Sequence, residues 1–203
     1  MPTATPTRKQ VIQDFRRKEI LAAAVKVFGQ KGFDATLMAD IAKAADLAKG
    51  TLYIYFPSKN ALYEGVVKQA LAELAQLTEE HMQRETEFGG KLKAFIRVRI
   101  AYWQEKQALY RVILTLGRES KSRKRSIAWQ REVALYLARM FETAAAEGQI
   151  PQQDFLAAAW TAIDAIRGVN ERRVFGEGTS PEQDTDFLTA FLLRAIGCKS
   201  APA

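Results

Sequence analysis

The sequence predicts an all-α protein, and three observations carry that prediction. Apolar residues recur at helical spacing along most of the chain, with Ile20, Ala24, Val27 and Phe28 in one stretch and Leu62, Val66, Ala70, Leu74 and Leu77 in another. No run of β-branched residues alternates with polar ones over the length of a strand. Turn-forming residues fall between the periodic segments rather than inside them, at Gly89-Gly90, at Gly148 with Pro151, and at Gly176, Gly178 and Pro181.

Taken in order, residues 1–13, with Pro2 and Pro6 among scattered polar groups, read as a disordered arm. A helix is expected from about Asp14. Gly32 can close it in the left-handed conformation, with Phe33 folding back on the last turn. Thr36 is the expected N-cap of a short helix that turns Ile41, Ala42 and Ala45 inward. A tight turn at Asp46-Leu47 leads to a second short helix, Ala48 to Ile54. Pro57-Ser58-Lys59 then stops that unit and starts a long helix with Ser58 as its N-cap. Further helices are expected near 91–105, 107–119, 122–147, 154–175 and 181–197, about nine in all. The last has Ser180 as N-cap, Pro181 in its first turn and Gln183 at the capping-box position. The organisation expected is an arm (1–13), a small three-helix unit (14–60) and a larger helical domain (61–203).

Composition narrows the function classes. The chain has 203 residues and a net charge of +7. Residues 1–60 hold ten Lys/Arg against five Asp/Glu, and residues 61–203 hold twenty against eighteen, so most of the excess sits on the first third. A basic segment on a nearly neutral body suits a partner that is a polyanion. No apolar run approaches a membrane span, and residues 1–7 lack the apolar region of a secretory signal, so no membrane partner and a cytoplasmic address are expected. One cysteine, Cys198, and one histidine, His81, exclude a disulfide framework and leave little for zinc, so neither a metal nor a cofactor is expected. Nor does any nucleophile motif or phosphate-binding loop point to an enzyme. The run Arg118 to Arg125, five basic residues in eight, reads as a solvated loop between helices.

The small unit carries the functional signal. Two short helices joined by a tight turn and braced by a preceding helix make a helix-turn-helix, which lays its second helix in the major groove of DNA. In the segment Ala48 to Phe56, Leu52 and Phe56 stand four apart and can face a core. Lys49, Thr51, Tyr53 and Tyr55 are then left toward DNA. Gly50 costs ~1 kcal/mol of helix propensity, which close approach to a DNA backbone would justify.

At this point the sequence resembles a known family. Ile20 through Ala24 to Phe28, Lys31-Gly32-Phe33, Asp40-Ile41-Ala42, and above all Gly50-Thr51-Leu52-Tyr53-Ile54-Tyr55-Phe56-Pro57-Ser58-Lys59 with Leu62 resemble the opening of the TetR family of transcriptional regulators, over roughly residues 14–65. The resemblance implies a homodimer that binds a double-stranded DNA operator, acts most often as a repressor, and is released by a small-molecule effector held in its C-terminal domain. It implies base or groove-edge contacts from Lys49, Gly50 and Thr51, and phosphate contacts from Tyr53, Tyr55 and Lys59. Lys59 follows the Ser58 cap, where the positive end of a helix favours anions. Three positions depart from the family's pattern. Asp46 replaces a glycine in the turn and Ala48 replaces a hydroxyl residue after it, while Met38-Ala39 lacks a polar base reader. These departures keep open an alternative, a helical ligand-binding adaptor of the same fold without specific DNA binding. Arg8 and Lys9 are the arm's candidates for a minor-groove contact.

Two further expectations concern the larger domain. The alanine-rich face of Phe155, Ala158, Ala159, Ala162, Ile166 and Val169, with Phe187, Leu188, Phe191, Leu192 and Ala195 of the last helix, is expected to make a four-helix dimer interface. The aromatic groups Phe95, Tyr102, Trp103, Tyr110, Trp129, Tyr136 and Trp160 are candidates for an effector pocket taking an aromatic, apolar or anionic molecule. Arg99 falls within the inward stripe of Leu92, Ile96 and Trp103, while Arg97 points away. An inward arginine must find a partner or pull out to water: an internal acid such as Asp164, a head that snorkels outward, or an anionic or carbonyl-bearing ligand.

Overall fold

A computed structural model describes residues 7–117 and 120–199, and among these the chain is helical throughout, in nine helices. They are α1 (Arg8–Ala35), α2 (Met38–Ala44), α3 (Lys49–Tyr55), α4 (Lys59–Met82), α5 (Phe88–Glu105), α6 (Gln107–Gly117), α7 (Ser120–Ala146), α8 (Phe155–Val174) and α9 (Pro181–Ala195).

Helix α1 begins at Arg8, not Asp14, so the second half of the expected arm is helix. Thr7 caps it, accepting from the Gln10 amide while the Gln10 side chain accepts from the Thr7 backbone N–H. This is a capping box, and it outweighs the nearby prolines because Pro6 precedes the cap rather than entering the helix. Arg8 and Lys9 are therefore exposed residues of the first helical turn. Gly32 breaks α1 near its end, with φ 74°, a value that strains any residue with a Cβ. The break lets Phe33 fold back on Phe28, ring centroids 5.5 Å apart.

Thr36 is not the cap of α2. It is buried and its hydroxyl donates to the Gly32 carbonyl at 2.6 Å, closing the kinked end of α1. Leu37 is the capping position instead, and its N–H is taken by the Asp40 carboxylate at 3.1 Å. Asp40 also pairs with Lys31 at 2.9 Å, and the Lys31 hydrogen bond holds its carboxyl below the usual range. Asp46 adopts φ 53°, the left-handed turn conformation, and the Leu47 amide reaches back to the Ala42 carbonyl. Ser58 caps α4, Asp154 caps α8, and Ser180 with Gln183 forms the capping box of α9.

The apolar residues form two clusters. One joins Ile20, Phe28, Ile41, Leu52, Phe56 and Leu62 to Val66, Tyr102, Tyr110 and Val174, so it runs from α1–α3 through α4 into α5, α6 and the end of α8. The other holds Phe95, Ile100, Leu137, Phe141, Ala162, Ile166 and Leu192, between α5, α7, α8 and α9. Ile20, Ile41, Leu52, Leu62 and Phe56 keep almost no exposed surface, and each such burial contributes ~1.5–3 kcal/mol.

The expected dimer face needs correcting. On α8, Ala159, Ala162, Ile166 and Val169 lie in the second cluster, as do Leu188 and Leu192 of α9. What α9 turns outward is Phe187 and Phe191, 65% and 49% exposed with their rings stacked, together with exposed Ala195. The reason is the helical period: 187, 191 and 195 share one face, and 188 and 192 the adjacent one. The basic run also differs. Arg118 and Glu119 lie outside the described residues, and from Ser120 onward the segment is the start of α7 rather than a loop.

Candidate nucleic-acid interface and ligand cavity

The helix-turn-helix is assembled from its buried side. Leu52 and Phe56 pin α3 into the first cluster, and the Arg17 guanidinium lies over the Phe56 ring at 4.3 Å. With that face fixed, Lys49, Gly50, Tyr53 and Ile54 are exposed, while Thr51 and Tyr55 are half-buried and Tyr55 leans on the cluster. A methyl group added at Gly50 would meet nothing within 4 Å, and its φ is not positive. Neither packing nor backbone conformation requires glycine there. Ile54, 83% exposed, is the most open large apolar group of this helix, and the sequence pattern assigned it no role. Its signal was available: it stands four residues after Gly50, on the same helical face.

Lys59 is engaged inside the chain. Its ammonium donates to the carbonyls of Phe33, Asp34 and Thr36 at 2.7, 3.0 and 3.0 Å and lies 4.5 Å over the Phe33 ring. An ammonium has three N–H donors, and all three are used inside the chain. The kink at Gly32 exposes a cluster of carbonyls at the end of α1, and Lys59 satisfies them. It ties the start of α4 to the end of α1 and has no donor left for a phosphate.

In the body of the molecule, α4–α8 line a partly open cavity of about 710 Å³. Five of the eight expected pocket residues line it: Arg99, Trp103, Tyr110, Trp129 and Trp160. Trp103 and Tyr110 form a continuous wall, centroids 4.9 Å apart. Burial raises the Tyr110 hydroxyl well above the usual phenol range, and Glu171 adds to the rise. The other three are elsewhere. Phe95 lies in the second cluster beneath Arg99. Tyr102 is buried against Glu73, to which its hydroxyl donates at 3.0 Å. Tyr136 stacks on Phe95 but opens on a separate cleft of about 410 Å³, where it donates to Glu79 at 2.8 Å; burial first, then Glu79, pushes its hydroxyl up to about 12. An aromatic residue's neighbours along a helix do not reveal which of two cavities its face opens on, and that is why these three were misplaced.

Arg99 does point inward, and Arg97 is exposed. The partners of Arg99 are neutral: Nη1 donates to the Thr78 hydroxyl at 3.0 Å and to the Phe95 carbonyl at 3.3 Å, and the guanidinium lies 3.4 Å over the Phe95 ring. Desolvation lowers its pKa to about 9. Asp164, the acid expected beside it, sits at the surface and pairs with Arg167 at 2.9 Å. Sequence reasoning missed Asn170, which lines the same cavity, is 4% exposed, and has a side-chain oxygen with no hydrogen-bond partner.

The described residues thus set a helix-turn-helix on a helical body that carries a cavity. Residues 20–66, from α1 through α2 and α3 into α4, match the family model described as bacterial regulatory proteins, tetR family. Among relatives, it is 40% identical over 73 residues to the HTH-type transcriptional regulator YhgD of Bacillus subtilis and 46% identical over 56 residues to RutR of Escherichia coli K12. Those stretches are 36% and 28% of this chain, and the chain spans only 38% and 26% of the two relatives. Among solved structures, a TetR-like transcriptional regulator from Rhodococcus sp. RHA1 superposes with a TM-score of 0.72 at 20% identity, over 94% of this chain and 98% of that one. The regulator PfmR of Thermus thermophilus gives 0.70 at 22% identity, over 86% and 97%. At these identities the likeness is one of fold, and it extends through the C-terminal helices. Among the described residues, no helix is long and apolar enough to cross a membrane.

Proposed function

We propose that this chain is a transcriptional regulator, acting as a repressor, that binds a pseudo-palindromic DNA operator as a homodimer and releases it when a small molecule fills the cavity. The observation that carries the reading is the outer face of α3, where Lys49, Gly50, Tyr53 and Ile54 stand exposed while Leu52 and Phe56 lock the opposite face. In this reading Lys49, Gly50 and Thr51 meet base or groove edges, and Tyr53 and Tyr55 meet phosphates. Ile54 suits a thymine methyl, the apolar mark of the major groove. Lys59 acts through α1, holding the reading head together.

The outward stripe of Phe187, Phe191 and Ala195 supports dimerisation through α9. A twofold dimer sets two recognition helices about one DNA turn apart, ~34 Å. The effector's leverage comes from α4, whose first turns carry both Lys59 and the cavity-lining Asn60, Tyr63 and Glu64. To move the population from almost all bound to almost all released, it must prefer the released form by ~5.5 kcal/mol.

The test is selection of bound fragments from the source genome at low and near-physiological salt. Enrichment of a shared palindrome that persists at the higher salt is expected. Binding that vanishes with salt and enriches no sequence would leave only counterion-driven contact with DNA, and the regulator reading would fall.

A further inference from the structure

Two polar groups in the cavity are left incomplete by the protein itself. Arg99 carries a charge among neutral partners, and both of its hydrogen bonds leave from Nη1. Among the acids of the surrounding helices, Glu73 is engaged with Tyr102 and Lys106, Glu79 with Tyr136 and Asp164 with Arg167; Glu64 and Glu171 also line the cavity, Glu171 beside Tyr110, whose hydroxyl it helps to raise. The guanidinium's Nη2 and Nε edge remains to grip a planar anion in a two-pronged fashion. Asn170 is the second group, nearly closed off from solvent, with its oxygen lacking any donor.

A chain of contacts fixes the path between them. Trp103 follows Arg99 by one turn of α5 on the same cavity wall, and Tyr110 packs against Trp103. The Tyr110 hydroxyl reaches the Arg167 carbonyl at 3.5 Å, one turn before Asn170 on α8. The Trp103–Tyr110 wall therefore separates the inward cation from the orphaned acceptor. Most of the remaining lining is apolar, including Val67, Leu71, Leu74, Ile113, Val133 and Ile163.

We propose that the cavity takes an amphipathic monocarboxylate, with its carboxylate on Arg99, its apolar body along the Trp103–Tyr110 wall, and a hydroxyl or amide N–H at its far end on the Asn170 oxygen. This deepens the effector site of the preceding reading and rests on it. Arg99 matches one negative charge, while the other cation of the cavity lining, Arg167, is paired with Asp164. At Arg99 itself a phosphate dianion would bring a second charge with no partner, and an organic cation would meet the guanidinium charge head on.

The probe set is 10-hydroxydecanoate, decanoate and 1,10-decanediol, titrated into the full chain without DNA. The three tryptophans of the chain, Trp103, Trp129 and Trp160, all line the cavity, so intrinsic fluorescence reports its filling. The expected order is 10-hydroxydecanoate tightest, the diol weaker by about tenfold or more, and decanoate in between by about threefold to tenfold. Arg99→Met should remove the preference for the acid over the diol, with Arg99→Lys keeping part of it. Asn170→Ala should remove the difference between 10-hydroxydecanoate and decanoate. A diol that binds as tightly as the acids, the absence of saturable binding by all three, or an acid preference that survives Arg99→Met would each overturn the proposal. The wild-type comparison stands even if a variant fails to fold. Because no DNA is present, the probe order can fail while operator selection succeeds, or hold while it fails.

Discussion

Replacing Lys59 by methionine separates two roles that the sequence alone runs together. The methionine keeps most of the apolar stem and removes only the ammonium. In the structure that ammonium holds three carbonyls at 2.7–3.0 Å and lies over the Phe33 ring. A hydrogen bond involving a charged group contributes ~1.5–3 kcal/mol, but the three are not additive, because the freed Asp34 carbonyl lies toward water. A loss of about 2–3 kcal/mol is expected. For a chain of this length that is a fall in Tm of about 4–12 °C, read by circular dichroism at 222 nm, a wavelength chosen because helix dominates it. The slope of log affinity against log salt on a DNA fragment should stay the same, since no phosphate contact is lost. A stability unchanged within about 0.5 kcal/mol, together with a slope lower by about one, would refute the internal role and restore the phosphate contact.

Other perturbations test neighbouring parts of the argument. Gly29→Ala puts a methyl carbon 2.8 Å from the Ala108 Cβ where α1 crosses α6, so a loss of about 1–3 kcal/mol is expected in thermal melts, rescued by Ala108→Gly. Phe187→Glu with Phe191→Glu should turn a dimer into a monomer in sedimentation velocity and leave the helix content unchanged; a persisting dimer would place the interface elsewhere. Arg173→Met removes the cation that joins the nearly buried Asp184 and the Thr179 carbonyl, and by stranding that acid it should cost about 3 kcal/mol in a denaturant titration. Arg99→Met should raise the stability of the ligand-free chain by ~1–2 kcal/mol at pH 7, because the folded state holds this charge less willingly than the unfolded chain does. That penalty is complete below about pH 9 and fades as pH rises above it, so the gain should be constant between pH 6 and 8 and shrink above about pH 9.

The fold was largely legible because its signals are local. Helical period, the Ser58 and Ser180 caps and the glycines between segments each act within a few residues, and they set the order and approximate ends of α2 to α9. Where the reading slipped, a tertiary contact had claimed a residue. Thr36 looks like an N-cap until Gly32 bends α1 and supplies a carbonyl for its hydroxyl. Lys59 looks like a phosphate ligand until the same bend turns three carbonyls toward it. Ala162 and Ile166 look like an interface until α5 and α7 arrive to cover them. Arg99 was legible because a charge in an apolar stripe is anomalous on the sequence itself. Asn170 was not, since a polar residue between Val169 and Glu171 is unremarkable until its oxygen is found without a donor.

The bend at Gly32 and the seat of Lys59 bear on how a filled cavity would be felt at α3. The first cluster joins the reading head to α4 and α6 without a break in apolar contact, so the head does not swing on a loose linker. Two of its attachments are a polar one, Lys59 on the bent end of α1, and an apolar one, Gly29 against Ala108. Both belong to helices that wall the cavity: α4 through Asn60, Tyr63 and Val67, and α6 through Tyr110, Ile113 and Leu114. Close-packed contacts of this kind transmit a displacement rather than absorb it. A ligand that spread α4 from α6 would pull the two attachments apart while leaving α1, α2 and α3 packed on Leu52 and Phe56. The expected response is therefore a rigid reorientation of the head, not its unfolding. Hydrogen exchange distinguishes the two outcomes, because the amides of α3 should keep their protection as operator affinity falls.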